Sequence, residues 1–571
     1  MRRLDYKWVA LSNTTLGVLL AMINASILLI ALPDIFRGIR IDPLAPGNSS
    51  YLLWLILGFL VAMSVLLVSL GRLGDMFGRV RMFNLGFAVF TAFSILLSVT
   101  WMHGSDAAIW LIVMRVGQGV GGALLFANSS AILTDAFPQD QRGLALGVNS
   151  VAAVAGSFIG LVLGGVLAPL QWRLVFVISV PIGVAATFWS YRSLRDLGVR
   201  KAARIDWWGN ATFAVGLILL MVGITYGIQP YGGHTMGWTS PLVLSSLAGG
   251  VVLLAAFCFI ETKVPEPMLH LELFKVRAFA AGNLAAFLAA MGRGGLQFIL
   301  IIWLQGIWLP QHGYAFSQTP LWAGIYMLPL TFGILVAGPA SGYLSDRFGA
   351  RPFATGGMLL AALGFALLIA LPVDFSYVAF SLILALIGIG MGLFSAPNNA
   401  AVMNSLPASQ RGAGAGVLTT ATTASSVLSI GVFFTLMIVG LAASLPHAVQ
   451  SGLVAHGVPT VDATRVSQLP PVATLFASFL GYNPIATLLG PHAVTAMSHR
   501  QAQAVTGRSF FPHLISSPFH TALVYAFAFA IVACVIAAVA SLLRGGKYHH
   551  AEQSASPPVE VVALDAIEEV A

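Results

Sequence analysis

The charged residues of this chain are few, and several of them lie in one short segment, GRLGDMFGRVR, at positions 71–81. Only 8% of the 571 residues are Asp, Glu, Lys or Arg, yet Arg72, Asp75, Arg79 and Arg81 all fall within this segment. A carboxylate among guanidinium groups can form ion pairs and can accept hydrogen bonds from the positively polarised N-terminus of a neighbouring helix. The segment is therefore suited to reversible contacts between helices rather than to bond-making chemistry.

Two further arginines, Arg115 and Arg293, lie inside long apolar runs of the sequence. A charge at membrane depth costs at least ~2.5–3.5 kcal/mol, so each side chain is expected to face a cavity or a polar partner. Gln118 and Gln297 each lie near one helical turn beyond one of these arginines, and Gln305 follows on a similar face. A cavity lined by both arginines, amides and aromatic rings is expected to prefer neutral or anionic amphipathic compounds. For Arg115, a structural bond to a backbone carbonyl is the alternative.

The pattern of reactive residues argues against an enzyme. No pair of acids, metal-ligating cluster or nucleophile with a neighbouring base stands out in or beside an apolar run, so no metal and no cofactor are expected. A G-x-G-x-x-G match at 117–122 lies in the middle of an apolar run without a preceding strand, and no G-x-x-x-x-G-K-[ST] loop occurs. Cys258 and Cys534 each lie inside an apolar run, which favours two buried thiols over a disulfide.

The composition indicates an integral membrane protein. Hydrophobic residues make up 58% of the chain and the mean hydropathy is +0.89, too apolar for a surface that faces water. The apolar runs are long and continuous, and about 20 such residues span a bilayer as a helix, so an all-α bundle is predicted. Fourteen spans are predicted near 11–33, 51–70, 82–101, 108–133, 144–168, 173–191, 208–229, 241–260, 280–309, 321–343, 354–372, 376–402, 413–443 and 520–543.

The basic residues predict an orientation for these spans. If the N-terminus is inside, 20 of the 28 Lys and Arg residues fall in inner segments, six fall in outer segments and two lie within spans. Inner segments of membrane proteins are enriched in Lys and Arg, so both termini are expected in the cytoplasm. The net charge of +8 then reflects the bilayer and not a nucleic-acid partner.

The segment at 71–81 has a counterpart, GYLSDRFGAR, at 342–351. Each copy follows one apolar run, precedes another and falls on the predicted inner side. Two copies about half a chain apart imply two structurally related halves. The copies share Gly71 and Gly342, Asp75 and Asp346, and Gly78 and Gly349 at matching positions. Basic residues follow the last glycine in each copy, and they are Arg79 and Arg81 in the first and Arg351 in the second.

The spans predict a division of the chain into six parts. One region, 444–519, carries FLGYNPI and is expected to form an ordered outer cap instead of a fifteenth span, because Asn483-Pro484 interrupts its apolar stretch. The predicted parts are a first six-helix bundle (1–200), two linker spans (201–265), the first five helices of a second bundle (266–443), an extracytoplasmic loop (444–519), a last span (520–543) and a disordered cytoplasmic tail (544–571).

Several motifs together resemble the major facilitator superfamily, and most of all its fourteen-span drug:proton antiporter branch. They are G-x-L-x-D-x-F-G in both loops, RVGQGVGGA (115–123), GSFIGLVLGG (156–165), WRLVFVISVPIG (172–183), DWWG (206–209), GIGMGLFSAPN (388–398) and PASQRGAGAG (407–416). The resemblance implies two six-helix bundles plus two extra spans, working as a monomer. It also implies that the 71–81 loop latches the two halves together on the inner side, and that Arg115 lies in the substrate and proton pathway.

The segment GSFIGLVLGG places four glycines, Gly156, Gly160, Gly164 and Gly165, on one predicted helical face. Small residues allow helices to pack closely within a membrane. In exporters of the family this element carries a proline and is taken as a mark of antiport. Leu161 stands at the proline position here, so the packing face is expected to persist while the kink is in doubt.

The first span departs further from the branch, which usually carries an acid there. Asn24 stands where the family has Asp, and an amide carries no proton at neutral pH. If transport is coupled to protons, another group must titrate. Asp34 is the nearest candidate, and an ordinary interfacial aspartate is an equal alternative.

The sequence therefore favours a secondary active transporter of the cytoplasmic membrane that exports amphipathic compounds in exchange for protons. The first alternative is a transporter of the same fold for one physiological substrate of anionic or lipid-like character. The second is a membrane sensor without transport activity, which would tolerate alanine at Asp75 and Arg115.

Overall fold

The architecture comes from a computed structural model, which describes residues 5–42, 45, 47–138, 141–197, 206–407, 410–495, 497–507 and 509–544. In this part of the chain, 14 helices are long and apolar enough to cross a membrane. The expected all-α fold with fourteen spans is thereby confirmed. The spans are α1 (Tyr6–Gly38), α2 (Asn48–Phe77), α3 (Arg79–Ser98), α4 (Gly104–Ala136), α5 (Leu144–Leu170), α6 (Leu174–Ser193), α7 (Trp207–Gly227), α8 (Pro241–Glu261), α9 (Arg277–Gln311), α10 (Thr319–Ser345), α11 (Ala350–Ala370), α12 (Tyr377–Asn404), α13 (Arg411–Ala455) and α14 (Phe510–Leu543).

Two groups of six helices pack in the same order. In the first half α1 packs against α5, α2 against α4, and α3 against α4. In the second half α9 packs against α13, α10 against α12, and α11 against α12. The last helix, α14, completes the second half by packing against α9, α11 and α13. The end of the bundle at which α1 begins is called the basic side below, and the opposite end is called the far side.

The two extra helices, α7 and α8, form a hairpin beside the junction of α2 and α13. Ser49 on α2 donates a hydrogen bond of 2.9 Å to Gln229, which follows α7, and Ser69 on α2 bonds to Asn210 on α7. Helix α8 has much of its surface free of other helices, so Cys258 on α8 is exposed. The expectation that both cysteines are buried is therefore right only for Cys534.

The last two spans are longer than expected from their apolar runs. Helix α13 continues through Pro446 to Ala455, and α14 begins at Phe510 and continues through Pro518. A proline inside a helix removes one hydrogen bond, and packing of the neighbouring turns stabilises the helix around it. Both helices therefore extend on the far side beyond the predicted limits of 443 and 520.

Four short helices lie between α13 and α14 on the far side. The apolar stretch around FLGYNPI does not form a continuous helix, because one helix ends at Phe479 and the next begins at Ile485. At this break Gly481 adopts a φ of 73°, and the Asn483 amide donates to the carbonyls of Val505 (3.0 Å) and Gly507 (2.9 Å). The short helices are Thr460–Ser467, Pro471–Phe479, Ile485–Thr495 and His499–Thr506, and the third is kinked at Gly490, where φ is 77°.

Three of the four glycines expected on one face of α5 face α1. A Cβ atom on Gly156 would lie 2.9 Å from the Leu19 carbonyl oxygen, and one on Gly164 would lie 2.6 Å from that of Ile27. Gly165 points elsewhere, and its Cβ would lie 2.5 Å from the Cα of Leu321 on α10. The prediction of a single face is wrong for Gly165, because adjacent residues of a helix are about 100° apart.

Candidate functional site

The segment at 71–81 connects α2 to α3 through a single residue. Gly78 makes this turn with a φ of 109°, a backbone conformation that residues with a Cβ rarely adopt. Arg79, the first residue of α3, donates to Asp75 at 2.8 Å and to Asp135 on α4 at 2.7 Å. The cluster of Asp75, Arg79 and Asp135 thus ties α2, α3 and α4 together at the basic side, within the first half.

The second copy repeats the backbone of the first. Gly349 makes the turn between α10 and α11 with a φ of 84°. A Cβ on Gly71 would lie 3.6 Å from Ala127 on α4, and a Cβ on Gly342 would lie 3.7 Å from Ala396 on α12. The side chains of Arg81 and Arg351 are both exposed. The side chain of Asp346 lies outside the described part of the chain.

Arg115 is fully buried within the first half. Its Nη1 donates to the side-chain oxygens of Gln118 (2.7 Å) and Asn24 (3.3 Å), and its guanidinium lies 4.4 Å from the ring centroid of Phe59. Gln118 in turn donates to Ser94 at 2.8 Å. The Nε and Nη2 atoms of Arg115 have no hydrogen-bond partner among the described residues. The expected proximity of residues 24, 115 and 118 is present, but in a closed polar network and not in a cavity.

Asp34 does not belong to this network. It is ten residues beyond Asn24, or about 15 Å along the helix axis. Its Oδ1 accepts a hydrogen bond of 2.6 Å from Arg37, also on α1. The structure therefore places Asp34 in a local ion pair near the far side.

Arg293 lines a cavity of about 210 Å³ between α9, α11, α12 and α13. Polar side chains from α12 and α13 share the cavity wall with it, and alanine, methionine, leucine and phenylalanine side chains form the rest. The polar residues are Ser395, Asn399, Thr419 and Thr422. No Asp or Glu lines the cavity among the described residues. Of the two arginines expected to line one cavity, only Arg293 does so in this structure.

Gln297 and Gln305 do not extend the cavity wall. Gln297 is half-buried one turn beyond Arg293, whereas Gln305 lies in a π-helical turn, Leu304–Trp308, within α9. Gln305 is twelve residues beyond Arg293, which places it about 120° around a regular α-helix, so the two side chains do not share a face. Gln305 is fully buried at the far side, and its Nε2 donates to the Ile30 carbonyl oxygen of α1 at 3.3 Å.

At the far side, α9 and α10 of the second half contact α1 and α5 of the first half. Besides the bond from Gln305 to α1, α5 approaches α10 so closely that a Cβ on Gly324 would lie 3.2 Å from the Leu161 carbonyl oxygen. The cap adds a bond of 2.7 Å from Ser478 Oγ to the Gly306 carbonyl oxygen in the π-helical turn. At the basic ends of the same helices, Gly147 on α5 and Gly338 on α10 have no neighbour that a Cβ would meet.

A buried group at the basic side was not predicted from the sequence. Asp206 caps α7 by accepting a hydrogen bond of 2.7 Å from Gly209, and Glu261 ends α8 and accepts one of 2.7 Å from Leu269. Asp206 is 6% exposed and Glu261 is 3% exposed, and each has one carboxyl oxygen without a partner among the described residues. Both oxygens crowd the same side of Gly209. The sequence signal was an acid at each end of the α7–α8 pair.

Arg72, another arginine of the 71–81 loop, contacts the segment after α8. Arg72 donates to the Glu266 carbonyl oxygen at 2.9 Å and also bonds to the Pro267 carbonyl oxygen. Burial lowers the pKa of His270 in this segment, and the charge of Arg72 lowers it further. The loop of the first half is therefore connected to the linker that leads into the second.

Comparison with known proteins defines the family. The pattern of the Major Facilitator Superfamily matches residues 14–206 and 198–430, which is most of the chain. The chain belongs to this superfamily. Its fourteen spans, its two similarly packed halves and its repeated loop are the features on which the resemblance seen in the sequence depends.

Named relatives in the family are transporters. The chain is 28% identical to the riboflavin transporter RibZ of Clostridioides difficile over 434 residues, covering 75% of this chain and 87% of that protein. It is 28% identical to the tetracenomycin C resistance and export protein of Streptomyces glaucescens over 478 residues, covering 82% and 84%. A solved bacterial homologue of the human lysosomal transporter Spinster, in an inward-facing conformation, superposes with a TM-score of 0.58 at 16% identity, covering 95% of this chain and 98% of that one.

Proposed function

We propose that this member of the Major Facilitator Superfamily is a secondary active transporter that exports amphipathic compounds in exchange for protons. Two features together support the proposal: a cavity lies around Arg293, and the two halves contact each other at the far side. A buried site that is sealed on one side is the arrangement that alternating access requires. The resemblance to drug-resistance and export proteins supports amphipathic compounds as the cargo.

The proposal includes an orientation in the cytoplasmic membrane, with the protein working as a monomer. The excess of Lys and Arg at the basic side supports a cytoplasmic location for that side and for both termini. The cavity would then open to the cytoplasm in the arrangement described here. The six-part division of the chain expected from the sequence remains part of this proposal, except that the loop between the last two spans is shorter than 444–519 because α13 continues to Ala455 and α14 begins at Phe510.

The transport cycle would be a rocking of the two halves about the midplane. The bond from Gln305 to Ile30 and the approach of Gly165 to Leu321 would break as the far side opens. At the same time the 71–81 loop would approach the second half and close the basic side, with Asp75 as the latch. Asp75 pairs with Arg79 in the present arrangement, so the latch contact belongs to the opposite state.

Proton coupling in this cycle would differ from that of relatives with an acid in the first span. Asn24 bonds to Arg115 and to Ser179, so an acid at this position would lie against a guanidinium group. A carboxylate beside a cation favours its charged form and releases its proton more readily. The wild-type chain is therefore expected to show weak or atypical coupling, and Asn24→Asp is expected to change its pH dependence.

Purified protein in vesicles with an imposed pH gradient tests the function. Three probes with one fluorophore are suitable: dansylglycine (anionic), dansylamide (neutral) and dansylcadaverine (cationic), with protein-free vesicles as the control. The proposal predicts gradient-dependent accumulation of at least one probe, abolished by an uncoupler. Absence of protein-dependent flux for all three would count against it. Identical pH dependence in wild type and Asn24→Asp would remove Asn24 from the coupling.

A second candidate is a transporter of the same fold for one anionic or lipid-like physiological compound. Arg293 in a cavity without acids among the described residues favours this alternative. It predicts flux of a narrow set of compounds, whereas a multidrug exporter would move structurally unrelated ones. Family membership supports either form of transport over a membrane sensor.

A further inference from the structure

We propose that Arg293, Ser395 and Asn399 form an anion-binding subsite, which takes a carboxylate, sulfonate or phosphate attached to an apolar body. The inference rests on the proposed transport function and names its substrate class. It concerns the cavity between α9, α11, α12 and α13, which lies entirely within the second half.

Arg293 carries a charge that no described residue pairs with. Its side chain is exposed to the cavity, and it forms no ion pair or hydrogen bond with the described residues. Charged side chains within membrane spans are rare, and they normally pair with one another or with backbone carbonyls. They also commonly line the path of a substrate or an ion through the protein. The guanidinium group offers five N–H donors in a plane that matches the oxygens of a carboxylate or phosphate.

Two hydrogen-bonding side chains, Ser395 and Asn399, line the same cavity as Arg293. Ser395 and Asn399 are one helical turn apart on α12, both are exposed to the cavity, and neither bonds to another described side chain or carbonyl. A hydroxyl and an amide therefore add donors next to the guanidinium group. Hydrogen bonds to an ionised oxygen are about twice as strong as those between neutral groups.

Arg115, the other arginine within a span, differs from Arg293 in its burial and in its partners. Arg115 is fully buried, donates to Gln118 and Asn24, and lies against Phe59, so a ligand does not reach its guanidinium group in this arrangement. The cavity around Arg293 has no acid among its described lining residues, so an ammonium group would meet a like charge without a counter-ion. Specificity against cations follows from this repulsion.

The cavity is small and partly apolar. Its volume of about 210 Å³ is below the range of roughly 300–1,000 Å³ that is typical of sites for whole drug-sized molecules. It accommodates a charged head group with part of an apolar body. Met358, Met391 and Phe394 contribute apolar surface to the same cavity, and methionine adapts to differently shaped partners.

Binding of the dansyl probes to the purified full-length protein tests the subsite. Wild type is expected to bind dansylglycine about tenfold more tightly than dansylcadaverine, since a charge-assisted bond and a repulsion separate the two. Arg293→Gln is expected to weaken dansylglycine binding about tenfold and to leave dansylamide binding within about twofold. Arg293→Lys is expected to retain the preference for the anion.

The exposed Lys263, outside the cavity, provides the control for the loss of one positive charge. Lys263→Gln is expected to bind all three probes as wild type does. Equal binding of dansylglycine by wild type and Arg293→Gln would overturn the subsite, as would tighter binding of dansylcadaverine than of dansylglycine.

Flux measurements separate this inference from the transport proposal. Gradient-driven flux of dansylcadaverine without flux of dansylglycine would overturn the anion subsite and leave the exporter. Anion binding that depends on Arg293, without flux of any probe, would support the subsite and count against the exporter. Flux of dansylglycine that is lost in Arg293→Gln but kept in Lys263→Gln would support both.

Discussion

Arg79 Nη1 and Asp135 Oδ1 lie 2.7 Å apart, so the last turn of α4 is tied to the first residue of α3. The second half has no such pair, because Ala350 follows its turn glycine where Arg79 follows Gly78. The two halves therefore differ although their backbones repeat. The loop of the first half carries the arginine that pairs with two acids, and the second half carries the exposed arginine in its cavity.

If Asp75 holds the basic side closed in one state, Asp75→Asn should weaken that closure. Removing the charge weakens the contact proposed for the closed basic side, so that side is expected to stay open for longer. A cysteine at Gly147, introduced together with Cys258→Ala, should react with a maleimide about threefold faster in Asp75→Asn, as expected for a partly exposed charge contact. Asp5→Asn, an exposed acid on the same side, is the control. Equal labelling rates in Asp75→Asn and its parent would refute the latch.

If the bond from Gln305 to Ile30 helps to close the far side, Gln305→Leu should favour its opening. This change removes the bond to the Ile30 carbonyl oxygen, and one such bond contributes about 1 kcal/mol, or about a fivefold shift between the two states. Spin labels at Leu170 on α5 and at Ser317 before α10 should report a larger population of long distances. Gln311→Leu is a matched control, since Gln311 bonds to Pro512 within the second half. A distance distribution unchanged by Gln305→Leu would contradict the assignment.

Alanine substitutions at two adjacent glycines of α5, Gly164 and Gly165, are expected to have different effects. Gly164→Ala places a methyl group against the Ile27 carbonyl oxygen inside the first half, so the protein should unfold at a lower temperature. Gly165→Ala places it against Leu321 on α10, so the halves should separate at the far side with little loss of stability. Thermal unfolding and the spin-label pair at 170 and 317 distinguish the two. A stability loss from Gly165→Ala as large as that from Gly164→Ala would contradict this interpretation.

The carboxyl groups of Asp206 and Glu261 predict an effect of Glu261→Gln. An amide can donate to the free oxygen of Asp206, which is otherwise buried without a donor among the described residues. The free energy of unfolding at pH 8 is expected to rise by about 1 kcal/mol, the typical contribution of one hydrogen bond. Glu272→Gln, which removes an exposed acid after α8, should leave it unchanged. Destabilisation by Glu261→Gln would show that the two groups do not interact in this way.

Much of the fold follows from local properties of the sequence. Long apolar runs determined the number of spans, and the repeated G-x-L-x-D-x-F-G pattern indicated two related halves. The limits of α13 and α14 did not follow, because tertiary packing keeps Pro446 and Pro518 within helices. The true break at Gly481 was recognisable from the Asn483-Pro484 dipeptide beside it.

The arrangement of the site depends on features that spacing alone does not reveal. Arg115 and Arg293 looked alike in the sequence, and only packing shows that Phe59 and Gln118 enclose the first. Gln305 was expected on a face similar to that of Arg293, but twelve residues of helix separate the two side chains by about 120° around the axis. Asp206 and Glu261 are 55 residues apart, so their proximity required the α7–α8 hairpin to be known.

The central claim is that the far and basic sides open in alternation, and paired distance measurements test it most directly. One spin-label pair spans α5 and α10 at the far side (170 and 317), and a second spans the same helices at the basic side (147 and 338). With dansylglycine and an imposed pH gradient, the account predicts that long far-side distances gain population as long basic-side distances lose it. Fixed distances on both sides, or distances that lengthen together, would contradict it.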